Sequence, residues 1–266
     1  MNDNKRKPIG VFDSGIGGIT TLDKIYEVLP NEDYIYIGDT LNCPYGVRSA
    51  KEIRDLVTSV AKALLKKDVK AIVIACNTAT ANSTHLKDLT DVPVIGVIEP
   101  TALYAYKESK NKNILVLATN ATIDSHKYQE YLEGKDDFGN KYYVKCSEFV
   151  PICEAGLMGT SKASEVVKEK IGHLKDKNID VVISGCTHFG LLEKEIKENI
   201  PNSKLIECGY PTGLKLKEVL EENNLLNNKK TSGRIDIYTT GDIDYFENQI
   251  KWFKKPHEKI KKVELE

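Results

Sequence analysis

The sequence lacks an excess of charge of either sign. Its 266 residues carry 38 lysines and arginines against 39 aspartates and glutamates, a net charge of -1. Without a net positive field the chain has no long-range pull on phosphate backbones or anionic lipid, so neither nucleic acid nor membrane is an expected partner. No apolar run reaches membrane-spanning length. The start, Met1 to Lys7, is polar and has no signal-peptide core, so the expected compartment is the cytoplasm. The six cysteines (43, 76, 146, 153, 186 and 208) include no CxxC pair and no close cluster with histidine. That spacing excludes a disulfide framework and a zinc site, leaving free thiols. A complete dinucleotide fingerprint is missing as well. The turn Asp13-Ser14-Gly15-Ile16-Gly17-Gly18 follows an apolar strand, and Asp39 ends the next one. However, Thr20 stands where the third glycine is required, and Asp13 would place negative charge beside a pyrophosphate.

What the sequence does have is a pair of matching segments. Lys70 to Thr78 and Asp180 to His188 are each an apolar run that ends in a cysteine and then turns polar. Such runs read as buried strands of a parallel sheet with a helix opening after the thiol. In open α/β sheets ligands bind outside the carboxyl ends of the strands, which is where Cys76 and Cys186 fall. A buried cysteine is ordinarily a small apolar residue, and Cys146, Cys153, Cys43 and Cys208 are read that way. At a helix start, backbone N–H groups and the helix dipole would favour a thiolate, so Cys76 and Cys186 carry both a packing reading and a functional one. Asp13 is read either as a loop cap or as a carboxylate beside a reacting group. His188 is read either as a helix start or as a proton partner for Cys186.

Along the chain, Pro8 to Phe12 reads as a strand, the glycine turn follows, and Leu22, Ile25, Tyr26 and Leu29 recur at helical spacing. Tyr34 to Ile37 is a second strand and Ser49 caps a helix to about Lys67. Strand three carries Cys76, a helix follows to about Leu89, and Pro93 to Val97 is strand four before a helix from Pro100 to Glu108. From Asn113 the rhythm repeats, with Ile114 to Ala118 as a strand, Thr119 to Thr122 at its tip and a helix through Leu132. Tyr142 to Cys146 is read as a strand, Phe149 to Glu154 as a crossing loop and Ser161 to Lys175 as a helix before the Cys186 strand. Leu192 to Ile200, Thr212 to Glu221 and Ile243 to Phe253 read as helices, Leu205-Ile206 and Ile235 to Thr239 as strands. Asn223 to Gly233 is read as a polar hinge and the tail from Lys254 as a fraying end. The alternation predicts α/β architecture: two similar doubly wound parallel-sheet domains related by an approximate two-fold, with the active site in the cleft between them.

The motifs Asp13-Ser14-Gly15-Ile16-Gly17-Gly18, Gly38-Asp39-Thr40, Pro44-Tyr45-Gly46, Cys76-Asn77-Thr78-Ala79, Val97-Ile98-Glu99-Pro100 and Gly185-Cys186-Thr187-His188 occur in this order over nearly the whole chain. As an ordered set they resemble the glutamate racemases of the cofactor-independent aspartate/glutamate racemase superfamily. The resemblance implies two α/β domains, expected here as 1–98 with 213–266 and as 99–212. It implies interconversion of L- and D-glutamate for peptidoglycan without pyridoxal phosphate or metal, in an enzyme that is commonly a homodimer. Cys76 and Cys186 would be the two acid/base residues, assisted by Asp13 and His188. Substrate contacts would come from Asp13, Ser14, Tyr45, Gly46, Asn77, Thr78, Thr187, His188, Thr119 and Thr122, with Glu154 at the rim. An aspartate or other amino-acid racemase of the same superfamily, or a racemase-like protein that binds an amino acid without turnover, remains the alternative. Three positions depart from the family pattern: Gly190 where proline is usual, Glu207-Cys208-Gly209 in place of Asp-Ser-Gly, and Thr101 where glycine is common. Gly190 is expected to loosen the backbone that positions Cys186.

Overall fold

The computed structural model describes residues 3–134 and 138–266. In chain order the strands are β1 (Ile9–Asp13), β2 (Tyr34–Gly38), β3 (Ala71–Ile74), β4 (Val94–Gly96), β5 (Ile114–Ala118), β6 (Lys141–Lys145), β7 (Val181–Gly185), β8 (Lys204–Ile206), β9 (Ile235–Thr239) and β10 (Lys261–Lys262). The α-helices are α1 (Gly18–Val28), α2 (Ala50–Leu65), α3 (Asn77–Ala81), α4 (Ile98–Glu108), α5 (Asn120–Asp124), α6 (Lys127–Leu132), α7 (Phe149–Glu154), α8 (Ser161–Ile171), α9 (Glu193–Asn199), α10 (Gly209–Glu222) and α11 (Ile243–Gln249).

The chain divides into two compact units, 1–97 with 209–266, and 98–208. The first holds a parallel sheet in the order β10-β9-β2-β1-β3-β4, the second a parallel sheet in the order β6-β5-β7-β8. Each unit therefore contains the same four-strand order, with the first strand of the unit paired between the second and the third. Asp13 and Thr119 end or follow the first strand of their units. Cys76 and Cys186 follow the third. The internal repeat read from the cysteine strands is thus a repeat of topology, and the architecture is α/β with two parallel sheets.

In the first unit the period-2 alternation of each strand feeds two cores. Ile9, Val11, Tyr34, Tyr36, Ala71, Val73, Ile235 and Ile237 face α1, α10 and α11, joined by Leu22, Ile25, Leu216, Leu220 and Phe246. Phe12, Ile35, Ile37, Ile72 and Ile74 face α2 through Ile53, Val57, Val60 and Leu64. Helices on both faces make the sheet doubly wound. Helix α2 starts on a full capping box, Ser49 and Glu52 each bonding the other's backbone N–H. In the second unit Leu115, Leu117 and Val182 face α7, α8 and α9, while α4 packs on β7 and α6.

Several elements differ from the sequence expectation. Phe149–Glu154 is a helix and not a crossing loop. Pro151 falls in its first turn, where no backbone N–H is needed, and Phe149, Val150, Ile152 and Cys153 are buried. The helix after Cys76 stops at Ala81, followed by a 3-10 turn over Thr84–Asp88. The Asn82 amide donates to Thr78 O at 2.9 Å and the Ser83 hydroxyl to Thr80 O at 2.8 Å, so these side chains take carbonyls from the helix ladder. The expected helix through Leu132 is broken at His126, which is left-handed at φ 57. The last helix ends at Gln249.

The tail does not fray. Ile260, Val263 and Leu265 pack on the two cores of the first unit and β10 pairs in parallel with β9. Nor is 223–233 a free hinge. Asn227 N–H donates to Glu32 at 2.7 Å, Lys229 pairs with Asp33 at 2.6 Å, and Gly233 N–H donates to Pro30 O at 2.7 Å. Beneath it the buried Lys70 Nζ pairs with Glu32 at 2.5 Å and donates to Lys5 O and Leu225 O.

Candidate active site

In the first unit the carboxyl ends of β1, β2 and β3 bring the sequence-predicted residues together. Asp13, the last residue of β1, is fully buried, and its Oδ2 accepts the Gly15 N–H at 2.9 Å. Gly18 lets the chain turn tightly over it: a Cβ there would overlap the Asp13 Cβ and the Tyr36 hydroxyl. That hydroxyl donates to Gly15 O at 2.9 Å, fixing the turn that presents Ser14. Cys76 leaves β3 as the N-cap of α3, its Sγ accepting the Ala79 N–H at 3.4 Å and donating to Ser14 Oγ at 3.5 Å. Asn77 and Thr78 follow it, both nearly buried.

The thiol is not activated in the sense the sequence suggested. Burial, and after it the Asp13 carboxylate, push the Cys76 thiol up to about 12; bonds from Ser14 and Ala79 act the other way and are outweighed. A helix of one turn and a bit has too small a dipole to reverse this. Cys76 therefore rests as a protonated thiol beside a carboxylate.

The Tyr45 hydroxyl is engaged within the protein. Its ring is 1% exposed, and its hydroxyl donates to Asp39 Oδ2 at 2.6 Å. Burial, followed by the Asp39 charge, pushes the phenol far above its usual range. The hydroxyl is thus committed to Asp39, and any ligand contact here belongs to the backbone of Tyr45 and Gly46. Asp39 is fully buried among protein donors, so it has no surface to offer a ribose.

In the second unit Cys186 follows β7, but no helix begins at it. Thr187 and His188 form a turn, and a 3-10 segment runs over Phe189–Leu192. The helix-dipole argument accordingly fails for Cys186 as well, and its polar partner is His188, whose Nδ1 lies 3.8 Å from Sγ. His188 Nε2 lies 3.9 Å from Glu154 Oε1 on α7. The Cys153 thiol donates to the His188 carbonyl at 3.4 Å, so helix α7 holds both sides of this histidine. The Ser184 hydroxyl donates to Cys186 O at 3.2 Å and the Cys208 thiol to Ser184 O at 3.4 Å. Thr119 caps α5 at the tip of β5, its hydroxyl 3.0 Å from that of Thr122 and both nearly buried.

Gly190 lies against the side chain of Glu207. A Cβ there would overlap the Glu207 carboxylate, so two of the departures from the family pattern answer each other in space. Sequence reasoning missed Tyr36 and Tyr128, buried phenols beside the thiols of the first and second units. Isolated tyrosines in apolar patterns give no signal that sets them apart from core. Among the described residues no group of three His, Cys, Asp or Glu is placed to hold a metal ion, and no helix is long and apolar enough to cross a membrane.

The sequence pattern of the Asp/Glu/Hydantoin racemase family matches residues 9–209. The chain belongs to that family. The match takes in both thiols of this racemase-family chain, together with Asp13 and His188. It is 37% identical over 262 residues to a glutamate racemase of Pediococcus pentosaceus, covering 98% of this chain and 99% of that one. Its fold superposes on glutamate racemase RacE1 of Bacillus anthracis with a TM-score of 0.91 at 33% identity, covering 98% of each chain. It is similar in the same way to the Francisella tularensis glutamate racemase solved in complex with D-glutamate, with a TM-score of 0.85 at 34% identity and 98% coverage of each chain.

Proposed function

We propose that this chain racemises glutamate without a cofactor, with Cys76 and Cys186 as its two acid/base groups. The observation that carries the reading is the pair of thiols at equivalent strand ends of two units with one strand order, each with its own polar partner. The near full-length relatives named glutamate racemase give the substrate.

The chemistry follows from what racemisation demands. The α-proton of an amino acid is weakly acidic, so a base must be held in place on one face and an acid on the other. One cysteine thiolate takes the α-proton as the C–H bond breaks. The other thiol gives its proton to the opposite face of the carbanion, leaving the first as thiol and the second as thiolate, ready for the reverse direction. The reaction thus requires the two strand ends to address one α-carbon from opposite sides. With its thiol raised to about 12, Cys76 is a proton donor at rest and a strong base once ionised. An ammonium group beside Asp13 would offset the carboxylate charge and make that ionisation less costly. His188 would pass protons to and from Cys186, steadied by Glu154. Ser14, Asn77, Thr78, Thr187, Thr119 and Thr122, with the backbone of Gly46, would bind the carboxylates through hydroxyl and N–H donors that add no titrating charge.

D-Glutamate made in this way would serve peptidoglycan synthesis in the cytoplasm, and the resemblance to the family carries a homodimer, which light scattering measures directly. The deciding experiment is α-deuterium incorporation in deuterated water from each enantiomer of glutamate and of aspartate, by protein free of pyridoxal phosphate. Exchange with glutamate is expected, and Cys76→Ser and Cys186→Ser should each abolish racemisation. Absence of exchange with glutamate overturns the substrate, and full activity in either serine variant overturns the two-thiol mechanism.

A further inference from the structure

Asp39 is a fully buried carboxylate that the chemistry above does not use. A buried carboxylate is costly to keep unless donors surround it, so the identity of its donors shows what it holds. Its Oδ2 accepts the Tyr45 hydroxyl at 2.6 Å and its Oδ1 the Thr240 hydroxyl at 2.7 Å. The Asn42 amide donates to both oxygens, at 3.0 and 3.1 Å. Its own N–H donates to the Asp13 carbonyl at 3.0 Å. Thr240, just past β9, is used twice, since its hydroxyl also accepts the Leu41 N–H at 3.1 Å. Next to it the hydroxyls of Thr40 and Thr239 lie 2.7 Å apart.

The segment 40–47 is also tied by Arg48 Nε, which donates to the Asn42 carbonyl at 2.9 Å, and it buries little apolar surface. Leu41 is 72% and Val47 78% exposed, so apart from the Tyr45 ring this loop buries few apolar side chains. The polar cluster around one carboxylate joins it to the ends of β1 and β9, beside Asp13 and Cys76.

We propose that Asp39, with Thr240 at the end of β9, is a positioning residue that clamps the loop 40–46 against the end of β1, so that the Tyr45-Gly46 backbone is pre-set to receive a substrate carboxylate. This rests on the racemase reading above. The clamp lowers the cost of ordering the loop when substrate binds, and its loss falls on binding rather than on proton transfer.

The test compares Thr240→Val, Thr240→Ser and Asp39→Asn with the parent in the deuterium-exchange assay. Valine keeps the shape of threonine and removes the hydroxyl, whereas serine keeps the hydroxyl. Asparagine puts an NH2 donor where three donors already point. Losing one hydrogen bond to a charged group corresponds to a change of about tenfold or more. The expected result is a glutamate KM raised by about tenfold or more in Thr240→Val and Asp39→Asn, kcat changed by less than about threefold, and Thr240→Ser near the parent. If Asp39→Asn does not fold, Thr240→Val carries the test. A folded Thr240→Val with unchanged KM, even with a lowered melting temperature, overturns the clamp. Absence of exchange by the parent protein overturns the racemase reading instead. Calorimetric glutamate affinity then decides: about a tenfold weakening in Thr240→Val upholds the clamp, while equal affinity, or no binding by the parent, overturns it.

Discussion

Replacing Asp13 by asparagine should make the Cys76 thiol more acidic. Burial is the larger cause of the raised thiol and the Asp13 carboxylate the second. The substitution removes only the second. Phe12 pairs with Ile74 across adjacent strands, so Asp13 lies abreast of Ala75, one residue before the thiol. With strands about 4.8 Å apart, the two charges would sit roughly 6 Å from each other. At an effective dielectric of about 20, their repulsion is about 3 kcal/mol, or about two pKa units. The thiol would then ionise at a pH well below its raised value, because the neutral amide no longer opposes the thiolate. At pH 8 the ionised fraction would rise about a hundredfold, and the rate of alkylation with it, since the thiolate is the nucleophile. Asparagine can still accept the Gly15 N–H, so the turn is preserved. The assay is iodoacetamide labelling between pH 7 and 10, with the Cys76 peptide quantified by mass spectrometry and Cys146 as a buried reference, its thiol likewise raised to about 12 by burial. A Cys76 rate that is unchanged or lower in Asp13→Asn refutes the claim that this carboxylate raises the thiol. The same variant should racemise more slowly, because the charge that opposes the thiolate at rest is also the one expected to draw in the substrate ammonium.

Two further outcomes follow from the scaffold. Lys70→Met should cost about 3–5 kcal/mol in urea denaturation, because the buried Glu32 would lose its cation; Lys70→Met combined with Glu32→Gln should recover part of that loss, and a single variant as stable as the parent would show the pair to be idle. Ser49→Ala should cost about 1 kcal/mol by breaking the capping box of α2, with the racemase rate unchanged at 25 °C.

By itself the sequence determined strands β1 to β9, because runs such as Val181 to Gly185 are buried on both faces and must be continuously apolar, and it missed β10 in the charged tail. It also placed both cysteines, Asp13 and Ser14 at strand ends, since the polar residues that close an apolar run mark the edge of the sheet. Local patterns likewise fixed the Ser49 cap. What only the tertiary structure decided were the quantities set by neighbours far away in the chain. The sign of the Cys76 shift depends on burial beneath a carboxylate on a different strand, which outweighs the local helix start. The Tyr45 hydroxyl is spoken for because Thr240, 201 residues beyond Asp39, completes the nest around that carboxylate. The tail orders because Ile260, Val263 and Leu265 find apolar surfaces made by residues near the start of the chain. That Gly190 and Glu207, 17 positions apart in the sequence, meet in space is visible only in the fold. Periodicity records which way a side chain faces; which group it meets there is a property of the folded chain.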